Sequence, residues 1–375
     1  MRQSISFIKN EGIVQKVLLS LSFIFNFTGN TEIMKEKILV TGGTGYIGSH
    51  TVVELQESGF EVIVVDNLSN SSIEVLGNIE KITGIKPEFE KFDLADVSKT
   101  DDFFRRNPGI KAIIHFAASK SVNESVEKPL LYYRNNLVSM INLLDCQIEY
   151  GVPNMVFSSS CTVYGQPDRL PVTEDTPRKD AESPYGNTKR VNEDILRDSV
   201  AANPELRGIA LRYFNPIGAH PSALIGELPL GVPQNLVPFV TQTAAGIREE
   251  LKVFGDDYNT PDGSAIRDYI NVVDLSKAHV VAVERLLRGK NKQNYEVFNL
   301  GTGRGVSVLE LINTFEKVTG VKLNYKITGR RAGDIEKIWA DTSLANSELR
   351  WKTKKNLDET LLSAWEWEKK LRGIE

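Results

Sequence analysis

From residue 37 onward, apolar and polar positions follow one another in a regular succession of blocks. Short, near-continuous apolar runs rich in β-formers recur at 37–41, 61–66, 110–116, 154–157 and 208–214, and Pro87-Glu88-Phe89-Glu90-Lys91-Phe92 reads as a further, more polar strand among them. Between them lie stretches with apolar residues three or four positions apart, which is helical spacing. The clearest of these covers 129–150, with Leu137, Ile141, Leu144 and Ile148 on one stripe. Strands that are apolar throughout are buried on both faces, so the pattern predicts an α/β chain with a parallel sheet between helices. At 215–235 the texture changes to prolines and glycines with few charges. That stretch is longer than a structural connection needs and reads as a domain boundary and a binding loop. Shorter elements follow, among them 251–255, a strand at 295–300 placed to rejoin the main sheet, and an amphipathic helix at 357–371 carrying Trp365 and Trp367. The predicted division is a first domain over 34–214 and a smaller one over 215–375.

The first apolar run breaks into Gly42-Gly43-Thr44-Gly45-Tyr46-Ile47-Gly48, and helical spacing resumes at Ser49. Strand, glycine turn and helix in this order form the opening of a dinucleotide-binding half-domain. Gly43, Gly45 and Gly48 fit G-x-G-x-x-G, and Gly42 adds an overlapping pattern. Such glycines let the backbone turn tightly against a pyrophosphate, while the helix N-terminus offers free N–H groups and positive dipole. The second run ends in Asp66, close to the ~20-residue distance expected of the acid that takes the ribose hydroxyls. A carboxylate repels a 2′-phosphate, and Asn67, Leu68 and Ser69 supply no cation to offset it. NAD is therefore expected rather than NADP. The fold expected is a Rossmann-type doubly wound parallel sheet with a smaller C-terminal α/β substrate domain.

Composition narrows the remaining classes. The chain has 375 residues, 41% of them hydrophobic and 25% charged, values ordinary for a soluble globular protein. A net charge of −4 gives no reason to expect nucleic acid or an anionic membrane as partner. Cys146 and Cys161 make no disulfide framework, and His50, His115, His220 and His279 are too scattered for a metal site. Residues 1–33 carry a short apolar run after scattered cations, too short to span a bilayer and followed by a poor cleavage site. They are expected to stand outside the fold, which begins near Met34, and a cytoplasmic location is expected from the use of NAD.

Tyr185 and Lys189 are four residues apart, so a phenol and an ammonium project from one helix face. A free tyrosine has a pKa of ~10, and a neighbouring Lys⁺ together with a positive nicotinamide ring favours phenolate. Ser160 lies just past the fifth strand, where its hydroxyl can share an alcohol proton with Tyr185. Cys161 reads as a packing residue. Together, the glycine loop, Asp66, Ser160, Tyr185 and Lys189 resemble the extended short-chain dehydrogenase/reductase family.

Longer motifs carry the resemblance further. They are 157–165, Ser183-Pro184-Tyr185-Gly186, 212–221, Arg267-Asp268-Tyr269-Ile270 and Arg330-Arg331-Ala332-Gly333-Asp334. They are similar to motifs of the UDP-glucose 4-epimerase family, and the likeness covers essentially all of 35–367. It implies that NAD lies along Gly42, Gly45, Tyr46, Ile47 and Gly48, then Asp66, Asn67, Leu68, Ser69, Asn70 and Ser71. It adds Asp93, Leu94, Phe116, Ala117, Ala118, Ser119, Lys120, Asn135, Ser160, Tyr185, Lys189 and Phe214. For the UDP-sugar it implies Ser160, Tyr185, Asn215, Asn235, Leu236, Lys252, Val253, Phe254, Arg267, Arg331 and Asp334. Two arginines suit a diphosphate.

The implied reaction begins with Tyr185, aided by Ser160, removing the C4 hydroxyl proton while hydride passes to NAD⁺. The 4-keto sugar then turns about its link to the diphosphate, and hydride returns to the other face. Polar contacts are accordingly expected around UDP rather than the hexose, because each hydrogen bond broken by rotation costs about 1 kcal/mol. Nucleotide-sugar dehydratases carry an Asp-Glu pair just after the strand-end hydroxyl, where this chain has Cys161 and Thr162. A regulatory module without catalysis is expected to have lost Tyr185 or Lys189. In the resembling family the residue before Trp339 limits bulky N-acetyl groups, and Ile338 leaves use of N-acetylated UDP-sugars as the alternative. The resemblance also implies a homodimer, formed through the helix over 129–150 and the one starting at Tyr185.

Overall fold

The computed structural model describes residues 35–331 and 335–374, so the predicted N-terminal extension and Asp334 lie outside the described residues. The first half of the chain alternates strand and helix: β1 (Lys37–Thr41), α1 (Tyr46–Glu57), β2 (Glu61–Asp66), α2 (Glu74–Thr83), β3 (Glu88–Lys91) and α3 (Val97–Arg106). Next come β4 (Ile110–His115), α4 (Val122–Glu127), α5 (Pro129–Glu149) and β5 (Asn154–Ser158). A 3₁₀ turn at Cys161–Tyr164, α6 (Pro184–Ala202) and β6 (Arg207–Tyr213) complete this half. Shorter elements follow: β7 (Asn215–Ile217), α7 (Leu236–Ala244), β8 (Leu251–Phe254), β9 (Ile266–Arg267) and β10 (Tyr269–Asn271). The rest comprises α8 (Val272–Leu287), β11 (Tyr295–Leu300), β12 (Val306–Ser307), α9 (Val308–Thr319), β13 (Tyr325–Thr328) and α10 (Leu357–Arg372).

Seven strands form one sheet in the order β11-β6-β5-β4-β1-β2-β3, and every pairing in it is parallel. As the apolar pattern predicts, β11 rejoins the sheet beside β6, with Tyr295 opposite Gly208 and Leu300 opposite Tyr213. The strand order reverses between β1 and β4, and ligands of such sheets bind beyond the carboxyl ends at that crevice. Pleating sends Ile38, Val40, Val62 and Val64 into one layer with Val52 and Val53 of α1 and Leu275 of α8. Leu39, Ile63 and Val65 enter the opposite layer with Phe103 and Phe104 of α3, Met140 and Leu143 of α5 and Leu196 of α6. A separate core joins β8, α7, α9 and α10 through Val253, Val240, Phe315 and Trp365.

The helix predicted over 129–150 is present as α5, but its apolar stripe is turned. Leu144 enters the core, whereas Ile141 is 44% exposed and Ile148 48% exposed. The buried side of α5 includes Asn136, Ser139, Asn142 and Gln147 beside Met140 and Leu143. Asn136 and Asn142 find partners in Thr188 and in the Leu94 carbonyl, so polarity on that side reflects hydrogen bonding rather than solvent. Among the described residues no helix is long and apolar enough to cross a membrane.

Candidate active site

The carboxyl ends of β1, β2, β4, β5 and β6 open into one cleft, and its floor is the turn after β1. Gly42 has φ +70°, and a Cβ there would lie 2.7 Å from the Ala117 amide nitrogen. A Cβ on Gly48 would come within 2.2 Å of the Gly42 carbonyl oxygen. Both positions accept only glycine, because turn, helix and the neighbouring strand end meet without room for a side chain. Gly45 caps α1 with extended backbone and no side-chain cap. The first-turn N–H groups lack intrahelical partners, so the helix presents donors and positive dipole to the cleft. Asp66, at the end of β2, accepts from the Leu68 amide at 2.8 Å, the Ser71 hydroxyl at 3.2 Å and the Thr44 amide at 3.3 Å. Leu68 sits at φ +59° to make that turn. This cradle fits a dinucleotide: bare backbone where a pyrophosphate needs close approach, and a fixed carboxylate where a ribose needs an acceptor.

Tyr46, Ile47, Asn67, Ser69, Asn70, Ser71, Asp93 and Leu94 line the cleft together with Phe116, Ala117, Ala118, Lys120, Asn135 and Phe214. Of the residues expected along NAD, Leu68 and Ser119 do not line it. Leu68 acts through its amide on Asp66, and the Ser119 amide is bound to Asn136 at 2.8 Å. The Asn67 side-chain amide donates to Asp93 at 3.1 Å, linking the ends of β2 and β3.

At the far end of the cleft stand Ser160, Tyr185 and Lys189. Their positions follow from local rules. Ser183 caps α6 by accepting from the Gly186 amide at 3.1 Å, and Pro184 opens the first turn, which fixes where the helix begins. Tyr185 and Lys189 then share the face turned toward β5. Ser160 sits in extended backbone at the start of the 3₁₀ turn, where its hydroxyl oxygen accepts from the Thr162 amide at 3.2 Å. The ammonium of Lys189 is buried and donates to the Ser158 carbonyl at 2.7 Å. Burial pulls Lys189 down to about 7, against the Glu193 carboxylate, which favours the cation.

Tyr185 is half-buried with its ring on the cleft. Burial pushes its phenol well above the ordinary tyrosine value; Tyr213 and Cys161 add to the rise, while the hydrogen bond with Ser160 opposes it. The lysine expected to stabilise a phenolate directs its N–H at a carbonyl, with Nζ 5.9 Å from the Tyr185 ring centre. Desolvation of the phenolate thus opposes the hydroxyl contact, and the half-buried ring stays on the cleft surface.

The expected UDP-side residues divide. Asn215 and Asn235 line the cleft, whereas Leu236, Lys252, Val253, Phe254, Arg267 and Arg331 do not. Asn235 donates to Glu227 at 2.6 Å, and Leu236 is half-buried at the start of α7. Alternation along β8 buries Val253 and exposes Lys252 and Phe254. Arg331 is exposed, with its guanidinium 5.9 Å from the Phe254 ring. Arg267 is half-buried and donates to the Ile266 carbonyl at 2.8 Å. Ile338, only 2% exposed, packs with Cys161, Tyr164 and Phe214 rather than facing the cleft. Cys161 is buried and its thiol is pushed up to about 12 by desolvation, which suits a packing role.

Sequence reasoning missed Ser158, Ser139 and Tyr213, all on the cleft wall. The hydroxyls of Ser158 and Tyr213 bond to each other, and burial lifts Tyr213 to about 12. A signal was available for both, since each is adjacent to, or two residues from, a residue already singled out.

Comparison with known proteins agrees with this geometry. The model of the NAD dependent epimerase/dehydratase family matches residues 38–301. The UDP-glucose 4-epimerase of Bacillus subtilis (strain 168) is 51% identical over 331 residues, covering 88% of this chain and 96% of that protein. That of Dictyostelium discoideum is 48% identical over 337 residues, covering 90% and 97%. The crystal structure of UDP-glucose 4-epimerase from Bifidobacterium longum in complex with NAD⁺ and UDP superposes with a TM-score of 0.86 at 45% identity, over 90% of this chain and 100% of that one. A glycine cradle, a carboxylate fixed at the end of β2 and a Ser-Tyr-Lys group in one parallel-sheet crevice, with relatives this near, place the chain in the NAD dependent epimerase/dehydratase family.

Proposed function

We propose that the protein is a UDP-glucose 4-epimerase that interconverts UDP-galactose and UDP-glucose through a 4-keto sugar, using NAD that it keeps bound. The observation that carries this reading is that Ser160, Tyr185 and Lys189 share one cleft with the glycine cradle and Asp66. The Bifidobacterium longum structure, with NAD⁺ and UDP together, supports the same pairing of cofactor and nucleotide here. The Gly42–Gly48 turn and Asp66 would hold the cofactor. Bound NAD supplies a reversible hydride acceptor whose oxidised ring is positively charged.

The side chains then divide the proton work. Tyr185 accepts the C4 hydroxyl proton as the carbon is oxidised and returns it on reduction; the hydroxyl of Ser160 shares that proton along the way. Positive charge entering the cleft favours the phenolate this requires, against the desolvation that raises the phenol. That ties readiness of the base to occupancy by the oxidised cofactor. Lys189, held against Ser158, adds a second cation in its protonated form. Asn215 and Asn235 stand where UDP would be gripped, leaving the hexose few directional contacts and freedom to turn. Under this reading 34–214 holds NAD and 215–375 the UDP-sugar, with 295–300 returned to the first sheet.

The exposed Leu130, Leu131, Ile141 and Ile148 of α5 support pairing with a second copy through that face, checked by sedimentation at twice the chain's mass. A cytoplasmic location follows from the need for NAD. The test of function is purified protein given UDP-galactose and no added NAD. UDP-glucose should accumulate toward equilibrium, and Tyr185→Phe should lower kcat by about 10²–10⁴, the usual worth of a positioned acid–base group. Undiminished turnover by that variant, or NADH accumulating in step with sugar consumed, would sink the reading.

A further inference from the structure

Three consecutive serines end β5 and do different things. The carbonyl of Ser158 receives the Lys189 ammonium at 2.7 Å, and Ser160 lines the cleft with Tyr185. Side chains of an extended segment alternate, and Ser158 and Ser160 both line the cleft while Ser159 does not. Ser159 is completely buried, and its hydroxyl donates to Glu193 at 2.5 Å.

Glu193 is one helical turn beyond Lys189 on α6 and is itself 1% exposed. Its carboxylate accepts from Arg212 Nε at 2.8 Å and Nη2 at 2.7 Å, and from Arg178 at 3.3 Å. Arg212 follows Leu211 on β6, whose carbonyl receives the Ser159 amide at 3.0 Å. One carboxylate thus ties together the end of β5, β6 and the helix that carries both Tyr185 and Lys189. A buried ion pair of this kind contributes little net stability compared with well-packed apolar side chains. Its distinguishing property here is geometric, because it sets the spacing between the serine-bearing strand end and the helix.

We propose that Glu193, acting through Ser159, is a positioning residue for the reaction: it holds Ser160, Tyr185 and Lys189 in register without touching substrate or cofactor. This inference rests on the epimerase reading above. The charge of Glu193 also opposes the effect of burial on Lys189, so the anchor and the cation it helps place belong to one unit. Misplacement of reacting groups by about 1 Å costs on the order of 10² in rate, which makes register worth a dedicated anchor.

Replacing Glu193 outright would strand Arg212 in the interior and threaten folding, so the decisive variant is Ser159→Ala, which leaves the carboxylate on both arginines. In the full chain with its own bound NAD, Ser159→Ala should melt within a few degrees of wild type and keep KM for UDP-galactose within about twofold. Its kcat should fall on the order of 10²-fold. Ser159→Cys, which keeps a weak donor of similar size, should recover part of that loss, and Glu193→Gln should share the kcat defect with KM preserved. A Ser159→Ala enzyme with wild-type kcat overturns the proposal. So does a loss shared equally by kcat and KM, or a cysteine variant no better than alanine. If the wild-type protein turns over no UDP-galactose, the epimerase reading fails first and the anchor falls with it; an active wild type with an indifferent Ser159→Ala removes the anchor alone.

Discussion

The two sides of the cleft are built differently. On the side expected to carry the cofactor and the proton transfer, Ser158, Ser159 and Ser160 close β5 while Lys189 and Glu193 face them from α6, and all five are buried. The side expected to take the nucleotide-sugar reaches beyond the cleft lining, and its groups hang from short elements and loops. β9 and β12 pair over two residues each, β7 and β10 over three, and Lys252, Phe254 and Arg331 are exposed. Burial fixes geometry because moving any one group breaks several contacts at once, whereas an exposed side chain on a short strand or loop reorients at little cost. For a reaction in which the sugar turns between two half-steps, that asymmetry is useful: reacting groups stay put while the substrate side adapts.

The comparison can be broken in order of expected effect. Gly48→Ala attacks the rigid side, since its Cβ meets the Gly42 carbonyl at 2.2 Å. Overpacking of this kind costs about 1–3 kcal/mol or more. The purified variant should show a lower melting temperature and little bound NAD by its absorbance at 260 nm relative to 280 nm. A Gly48→Ala protein that melts like wild type and retains its nucleotide would show that the turn is not tightly packed.

A second test uses Lys189, which burial holds at about 7 in the folded chain against an ordinary 10.5. Between those values the unfolded chain binds a proton that the native chain does not. The native state therefore gains stability as pH rises above 7, by about 1.4 kcal/mol per pH unit. Nucleotide-free wild type compared with Lys189→Met in urea at pH 7 and pH 9 should show this extra gain only in wild type. Parallel pH dependence in the two proteins would mean that Lys189 titrates as an exposed lysine.

The smallest effect belongs to the adaptable side. Arg331→Ala removes one exposed cation beside Phe254, and a charge-assisted contact of about 1 kcal/mol predicts a rise in KM for UDP-galactose of about fivefold. Its kcat should stay within twofold of wild type. A large fall in kcat with KM unchanged would mean that Arg331 serves the chemistry and that the contrast between the two sides is misdrawn.

Much of the first half was readable from local pattern. β1, the glycine turn, α1 and β2 with Asp66 are contiguous, so propensity and spacing suffice to define them. The Tyr185–Lys189 pair is equally local, one turn of one helix. The turned stripe of α5 was not readable, because Asn136 and Asn142 look solvent-facing until Thr188 and the Leu94 carbonyl arrive from distant segments. Nor was the raised pKa of Tyr185. A tyrosine one helical turn from a lysine suggests an activated phenol, but desolvation depends on what else closes over it.

The amino-acid order by itself determined the succession of strands and helices, the glycine turn after β1 and the placing of Tyr185 and Lys189 on one helix face, because each is set by residues within a few positions of one another. Only the tertiary structure decided that Ser159, Glu193 and Arg212 meet in one buried cluster behind the reacting groups. It likewise decided which flank of each helix faces water. Those outcomes depend on contacts between segments far apart in the chain and on the exclusion of solvent they produce together, neither of which a local pattern encodes.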